Sequence, residues 1–277
     1  MKKSLPNFFF ALGAALLLSA CGKESISRPQ WAETSFSLTL EAVKSAGDGA
    51  DADHLAVLPF DKDGNPLDDI SFTCTQSGPG RFTAQARLVK GVEYTLLFFA
   101  QKGETYSLDR DGTLSLPGFG ALNDASRDAF SAVQTVVGGA SSSLSLSLRR
   151  PFALLSLVSS QADQAAAQEQ GRSAEVRVGL VLEGVPDRMN LLTGAVEGSV
   201  QASFPAASAP SSQDLAFCFL PAGESKALVK AAVTVTAGDF TSVRNLENLP
   251  LRRNCRTCIT GDFLTTEGSL DINLENN

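Results

Sequence analysis

The side chains able to do covalent or acid–base chemistry are few in this chain. Its 277 residues hold five cysteines and one histidine. Cys255-Arg256-Thr257-Cys258 has the spacing of a zinc knuckle or a thiol redox pair. Zinc needs further ligands, yet there is no second CxxC, and His54 is the sole imidazole. A redox CxxC opens a helix after a strand, and the flanking residues do not read that way. Buried thiols or a long-range disulfide are the better reading of Cys74, Cys218, Cys255 and Cys258. Their pairing stays open, since four thiols can pair in three ways. One histidine leaves little room for a Ser-His-Asp triad, and His54 stands at a strand start. Asp61 and Asp63 belong to a turn, Asp61-Lys62-Asp63-Gly64-Asn65. A calcium loop would place its glycine elsewhere and supply a glutamate at its twelfth position. Gly118-Phe119-Gly120 and Gly138-Gly139 lack the strand-to-helix setting of a phosphate loop. The expectation is a chain without metal, cofactor or enzymatic activity.

The remaining cysteine sits differently. Lys2 and Lys3 open the chain, an apolar run follows from Phe8, and Leu18-Ser19-Ala20 stands directly before Cys21. The run of about 13 residues is short of the ~20 that span a bilayer as a helix. It reads as a signal peptide, and its end resembles the lipobox of a bacterial lipoprotein. That resemblance implies cleavage before Cys21 and acylation (diacylglycerol, palmitate) of its sulfur and new N-terminus. Acyl chains anchor without spanning. The expectation is an outer-membrane lipoprotein at the cell surface, with a lipid anchor at Cys21.

The chain is acidic, with a net charge of −7 that loss of Lys2 and Lys3 takes to −9, which argues against nucleic acid as a partner. At 43% hydrophobic it can build cores, and its length suits two domains.

The elements that must carry any function read as strands. Residues 22–34 are polar and read as a tether. Phe36, Leu38 and Leu40 alternate with polar residues, predicting a half-buried strand over 35–43. Residues 45–53 are Gly/Asp/Ala-rich and predict an exposed, protease-sensitive loop. Residues 54–60, 82–88 and 94–100 read as further strands. Ser141–Leu148 alternates serine with leucine, the clearest strand signal in the chain. Residues 123–137 read as a short helix or an irregular excursion, with Asp124 and Asp128 capping or solvated. Arg149-Arg150-Pro151 breaks the strand pattern and marks a domain boundary. Beyond it, strands are predicted at 152–158, 176–182, 196–200, 215–220, 227–236 and 259–264, with 161–171 a loop or short exposed helix. Leu270, Ile272 and Leu274 form a last alternating strand. The prediction is all-β: a signal peptide over 1–20, a tether over 21–34, and β-sandwiches over 35–148 and 149–277.

Several stretches resemble one family. Tyr94–Gln101 (YTLLFFAQ), Arg127-Asp128-Ala129-Phe130, Arg149-Arg150-Pro151, Asn190-Leu191-Leu192-Thr193-Gly194 and the run Arg253–Thr265 are similar, in order and spacing, to signatures of Bacteroidales-type fimbrillin-like lipoproteins. One departure is plain: the family run carries an aromatic and an asparagine where Cys255 and Cys258 stand. The resemblance implies two tandem transthyretin-like sandwiches, lipoprotein export, and assembly into surface fimbriae (type V pili) that support adhesion. In such pili a protease removes the first strand, and a C-terminal strand of the next subunit fills the groove. Here the removable strand would be 35–43 and the donor strand would carry Leu270, Ile272 and Leu274. The family's processing is commonly arginine-specific, but no arginine lies between Arg28 and Arg81. That leaves Lys44 as the candidate cleavage residue, or an uncut subunit that serves as an anchor. Partners would be other fimbrial subunits, the outer membrane, and a host or bacterial surface ligand. The alternative is a non-polymerising surface lipoprotein that binds glycan or another ligand.

Overall fold

The described residues of the first half form nine strands: β1 (Trp31–Leu40), β2 (His54–Phe60), β3 (Thr73–Gly78), β4 (Arg81–Val89), β5 (Glu93–Gln101), β6 (Ser107–Leu108), β7 (Thr113–Ser115), β8 (Ala129–Val137) and β9 (Ser143–Leu148). The structure is a computed structural model and describes residues 28–41, 52–116, 118–172, 175–265 and 268–276. Cys21, Lys44, the whole expected signal peptide, half of the expected tether and most of the protease-sensitive loop lie outside the described residues.

Alternation sets the first sandwich. In β1 the side chains of Phe36, Leu38 and Leu40 are buried while Ser37 and Thr39 are exposed, the period of two that gives a strand one apolar face. β1 begins at Trp31, earlier than the alternation from Ser35 implies. Ladder pairing with Leu88 and Val89 of β4 recruits Trp31 and Ala32, so the end of the expected tether is strand. The sheet runs β3-β4-β1-β9 and faces a second sheet, β2-β5-β8. Between them lies a core containing Phe36, Phe82, Leu88, Phe98 and Leu148. The Phe36 and Phe98 rings meet at 5.2 Å, tilted, a favourable aromatic geometry.

The second half contains β10 (Phe152–Ser159), helix α1 (Gln161–Glu169), β11 (Val176–Val185), β12 (Arg188–Asn190), β13 (Val196–Glu197), β14 (Val200–Ser208), β15 (Asp214–Pro221), β16 (Ala227–Ala237), β17 (Phe240–Leu251), β18 (Cys255–Gly261) and β19 (Leu270–Asn276). Its sheets are β15-β10-β18-β19 and β14-β11-β16-β17, closed over a core with Leu155, Leu180, Val233 and Ile259. Among the described residues the fold is thus all-β apart from α1 and one short 3₁₀ turn (Ala125–Arg127); residues 129–137 are neither helix nor irregular but strand, because they pair along their whole length with β5.

The two sandwiches share a third core. β5 reads as a continuous apolar run because both of its faces are covered. Leu96 and Phe98 enter the first core, while Leu97 and Phe99 meet Phe152, Leu154 and Phe219 of the second half. β10 has the same double burial: Leu155 and Leu157 face one core and Phe152 and Leu154 the other. A small sheet, β13-β12-β7-β6, crosses between the halves and adds Leu114 and Met189 to the shared core.

The halves also repeat one topology. β1 lies between β4, antiparallel to it, and β9, parallel to it. β10 lies likewise between antiparallel β15 and parallel β18. Each of these sheets also carries a strand the other lacks: β3 extends the first beyond β4, and β19 extends the second beyond β18.

Candidate functional site

The first strand occupies a slot rather than an edge. β1 pairs with β4 from Trp31↔Val89 to Thr39↔Arg81 and with β9 from Ser35↔Ser143 to Leu40↔Leu148. Outside the ladders, the Ser35 N–H donates to the Ser142 carbonyl at 3.0 Å and the Glu41 N–H to the Leu148 carbonyl at 2.9 Å. Arg149 Nε meets Glu41 Oε2 at 2.9 Å on the exposed side. Phe36 and Leu38 are essentially inaccessible, at 0% and 1% exposure. Withdrawing β1 would leave two strands with unpaired backbone groups flanking an apolar trough lined by Phe82, Leu88 and Phe98. Such a trough is a template for another strand.

The other end of the chain has the opposite character. β19 is an edge strand, held by antiparallel pairing to β18 from Leu270↔Gly261 to Asn276↔Cys255. Leu270, Ile272 and Leu274 are half-buried and the residues between them exposed. Leu270 and Ile272 pack on the second-half core. Their spacing at every second position matches that of Phe36, Leu38 and Leu40 in β1. The last described residue, Asn276, accepts a hydrogen bond from Arg252 Nη2.

The segment leading to β19 is fixed by a carboxylate that the sequence reading passed over. Residues 161–171 hold a helix, α1, capped at Ser160, whose Oγ accepts the Asp163 N–H at 3.1 Å. Asp163 is buried rather than exposed. Its Oδ2 accepts the N–H groups of Phe263 and Leu264 at 2.7 and 2.8 Å and the Ser159 hydroxyl at 2.9 Å. Its Oδ1 accepts the Thr265 hydroxyl at 2.7 Å. The spacing Ser160-x-x-Asp163 resembles a capping box and could have located the helix start. It could not have shown that the carboxylate reaches across to residues 263–265.

Asp128 corrects another expectation. It closes the 3₁₀ turn as its C-cap, its N–H donating to the Ala125 carbonyl at 3.2 Å, but it is not solvated: its carboxylate pairs with Arg150 through Nε at 2.6 Å and Nη2 at 2.5 Å, both groups largely buried. Burial pushes its carboxyl above the ordinary value, and the guanidinium beside it opposes that shift. Asp124 does cap, accepting the Ser126 N–H at 3.0 Å. Arg150 also lies over the Phe130 and Phe219 rings, 5.7 and 5.3 Å from their centroids.

The candidate reactive groups do not converge. Cys255 and Cys258 both lie in β18, and an odd separation in a strand places them on opposite faces. All four described cysteines are free thiols, so no long-range disulfide forms among them. Cys255 Sγ accepts Arg252 Nε–H at 3.0 Å. Burial pushes the Cys218 thiol far up. His54 is exposed, 3.8 Å from Asp53. Asp61 folds back on its own turn, accepting the N–H groups of Asp63 and Asn65, both at 2.8 Å. Among the described residues no cluster of His, Cys, Asp and Glu is arranged to hold a metal.

Comparisons place this fold. The model of a family of unknown function, DUF6562, matches residues 54–277. A search of curated proteins found no match. Among solved structures, the chain is similar to a candidate cell adhesion protein from Bacteroides uniformis, with a TM-score of 0.56, 10% identity, and coverage of 88% of this chain and 97% of that one. It is also similar to a candidate cell adhesion protein from Bacteroides ovatus, with a TM-score of 0.53, 13% identity and coverage of 90% and 98%. The tip fimbrial protein Mfa3 from Porphyromonas gingivalis, with a C-terminal truncation, gives a TM-score of 0.53 at 12% identity, covering 89% and 100%. At these identities the likeness carries the fold alone.

Proposed function

We propose that this chain, a member of the DUF6562 family of unknown function, is a structural subunit of cell-surface fimbriae that assembles by strand donation between copies or related subunits. The observation that carries this reading is the place of β1. It is the first strand of the fold, yet it sits inside a sheet, between β4 and β9. Removing it opens the groove described above. A donor must then supply a strand with apolar residues at alternate positions, as β19 does with Leu270, Ile272 and Leu274. Each of Phe36, Leu38 and Leu40 represents roughly 1.5–3 kcal/mol of burial that the donor must restore. In this reading Cys21 carries the lipid, the chain is cut near Lys44, and the role is not enzymatic. The likeness in fold to a tip fimbrial protein and to candidate adhesion proteins supports it.

The test is cleavage of the exported protein in the loop after β1. Cut protein is expected to form polymers, and deletion of residues 270–277 to prevent them while the shortened chain stays folded. Cut protein that stays monomeric with β19 intact overturns the reading, as does polymerisation of the truncated chain. A second reading, an uncut lipidated anchor, is favoured by the lack of arginine between Arg28 and Arg81. The intact mass of the surface-purified protein separates the two, because the anchor keeps both its acyl group and β1.

A further inference from the structure

The outer face of the first sheet carries a groove of about 650 Å³ where β1, β3 and β4 run side by side. That volume lies within the ~300–1,000 Å³ of ordinary small-molecule sites. Its walls follow from register. The odd-numbered residues of β1 turn away from the core that Phe36 and Leu38 enter. Glu33 stands opposite Arg87, and Ser35 opposite Gln85. Gln85 in turn stands opposite Thr73 of β3. This places a carboxylate, a guanidinium, a carboxamide and two hydroxyls on adjacent positions of one surface. Asp69 lines the groove from the segment before β3. Trp31 also lines it, 40% exposed. Thr34 borders the groove as well, but its side chain turns to the core side with Phe36 and adds no polar group to the wall.

We propose that this groove is a saccharide-binding site with Trp31 as its stacking platform. A pyranose ring offers an apolar face of C–H groups and a rim of hydroxyls that both donate and accept. An exposed indole matches the first, and closely spaced Glu, Gln and Arg groups match vicinal hydroxyls. A lipid or an apolar peptide would find little partner surface, because among the described residues Trp31 and Ile70 are the only large apolar groups in the wall. The charged groups are Glu33, Asp69 and Arg87, one acid in excess, so a neutral sugar is favoured over a phosphate or uronate. The site does not depend on strand donation, but it does depend on β1, which supplies Trp31, Glu33, Thr34 and Ser35. Excision of β1 therefore removes the site.

Trp31 is the only tryptophan in the chain, so its emission reports on the groove alone. The full chain, in mild detergent, is titrated with maltose, cellobiose, lactose, mannobiose and N-acetyllactosamine, and screened on a glycan array. At least one neutral saccharide is expected to shift the emission saturably. Q85A and R87A, on the exposed strand face, should weaken that titration, and W31A should weaken array or calorimetric binding by at least about tenfold. W31F is expected to keep part of the affinity, which separates loss of the platform from loss of the fold. The proposal is overturned if no neutral saccharide binds at millimolar concentration, if W31A binds within about twofold of the parent, or if anionic sugars bind in preference.

Discussion

Arg150 and Asp128 form a two-point ion pair, at 2.6 and 2.5 Å, that ties the link between β9 and β10 to the start of β8. The side chains are 6% and 14% exposed, and Arg150 Nη1 has no hydrogen-bond partner among the described residues. Removing one partner strands a buried charge, which costs about 3–5 kcal/mol, whereas replacing both with apolar groups is often near neutral. Asp128→Ala and Arg150→Met should each lower stability to urea by that amount. The double variant Asp128→Leu with Arg150→Met should be more stable than either single one. Single variants that each cost under about 1 kcal/mol, the range of an exposed pair, would contradict this account.

Asp163 should be the most sensitive residue of α1. Its carboxylate takes bonds from Phe263, Leu264, Thr265 and Ser159, and hydrogen bonds to a charged group contribute about 1.5–3 kcal/mol each before non-additivity. Asp163→Ala is expected to destabilise the fold by at least about 3 kcal/mol. It should also speed hydrogen exchange at the Phe263 and Leu264 amides more than at amides of β5. Uniform exchange across the chain would show that Asp163 does not hold the segment before β19.

Gly138 marks a close approach between chains of one sandwich. A Cβ there would lie 2.0 Å from the Val89 carbonyl oxygen, whose backbone is fixed in β4. Gly138→Ala is expected to cost about 1–3 kcal/mol or more. Gly78→Ala, where a Cβ meets nothing within 4 Å, should be close to neutral. Thermal melts of the two variants side by side decide this, and equal melting temperatures would refute it.

The Asp61 carboxyl titrates below its ordinary value of 3.8, chiefly because the Asn65 side chain donates to it, with the Asn65 N–H adding to the effect. A depressed folded-state pKa stabilises the turn above the ordinary value, and that stabilisation is lost as pH falls through the depressed one. Carboxyl NMR titration should show Asp61 ionising below its ordinary value of 3.8, and Asn65→Ala should move it back up. An Asp61 midpoint unchanged by Asn65→Ala would assign the shift elsewhere.

Much of the fold was legible because strand periodicity is local. The alternation of Phe36, Leu38 and Leu40, and the serine–leucine repeat of β9, each declare a strand with one buried face. The apolar runs of β5 and β10 declare strands too, but the reason they are apolar throughout is not local: each separates two cores. Residues 161–171 were ambiguous because their alanines and glutamines carry no apolar stripe; the Ser160 cap marks where the helix starts, but the burial of Asp163 against residues 263–265 is set by tertiary contact.

The sequence by itself determined the all-β class, the scarcity of reactive groups and the alternating strands at both ends of the chain. Tertiary structure alone decided that β1 fills an interior slot, that β19 is an edge, that Asp128 meets Arg150, and that Trp31 joins Gln85 and Arg87 around one groove. The physical reason is range. A pleat orients side chains from one residue to the next, whereas partners separated by tens of residues are chosen by sheet order and register, which local patterning leaves open.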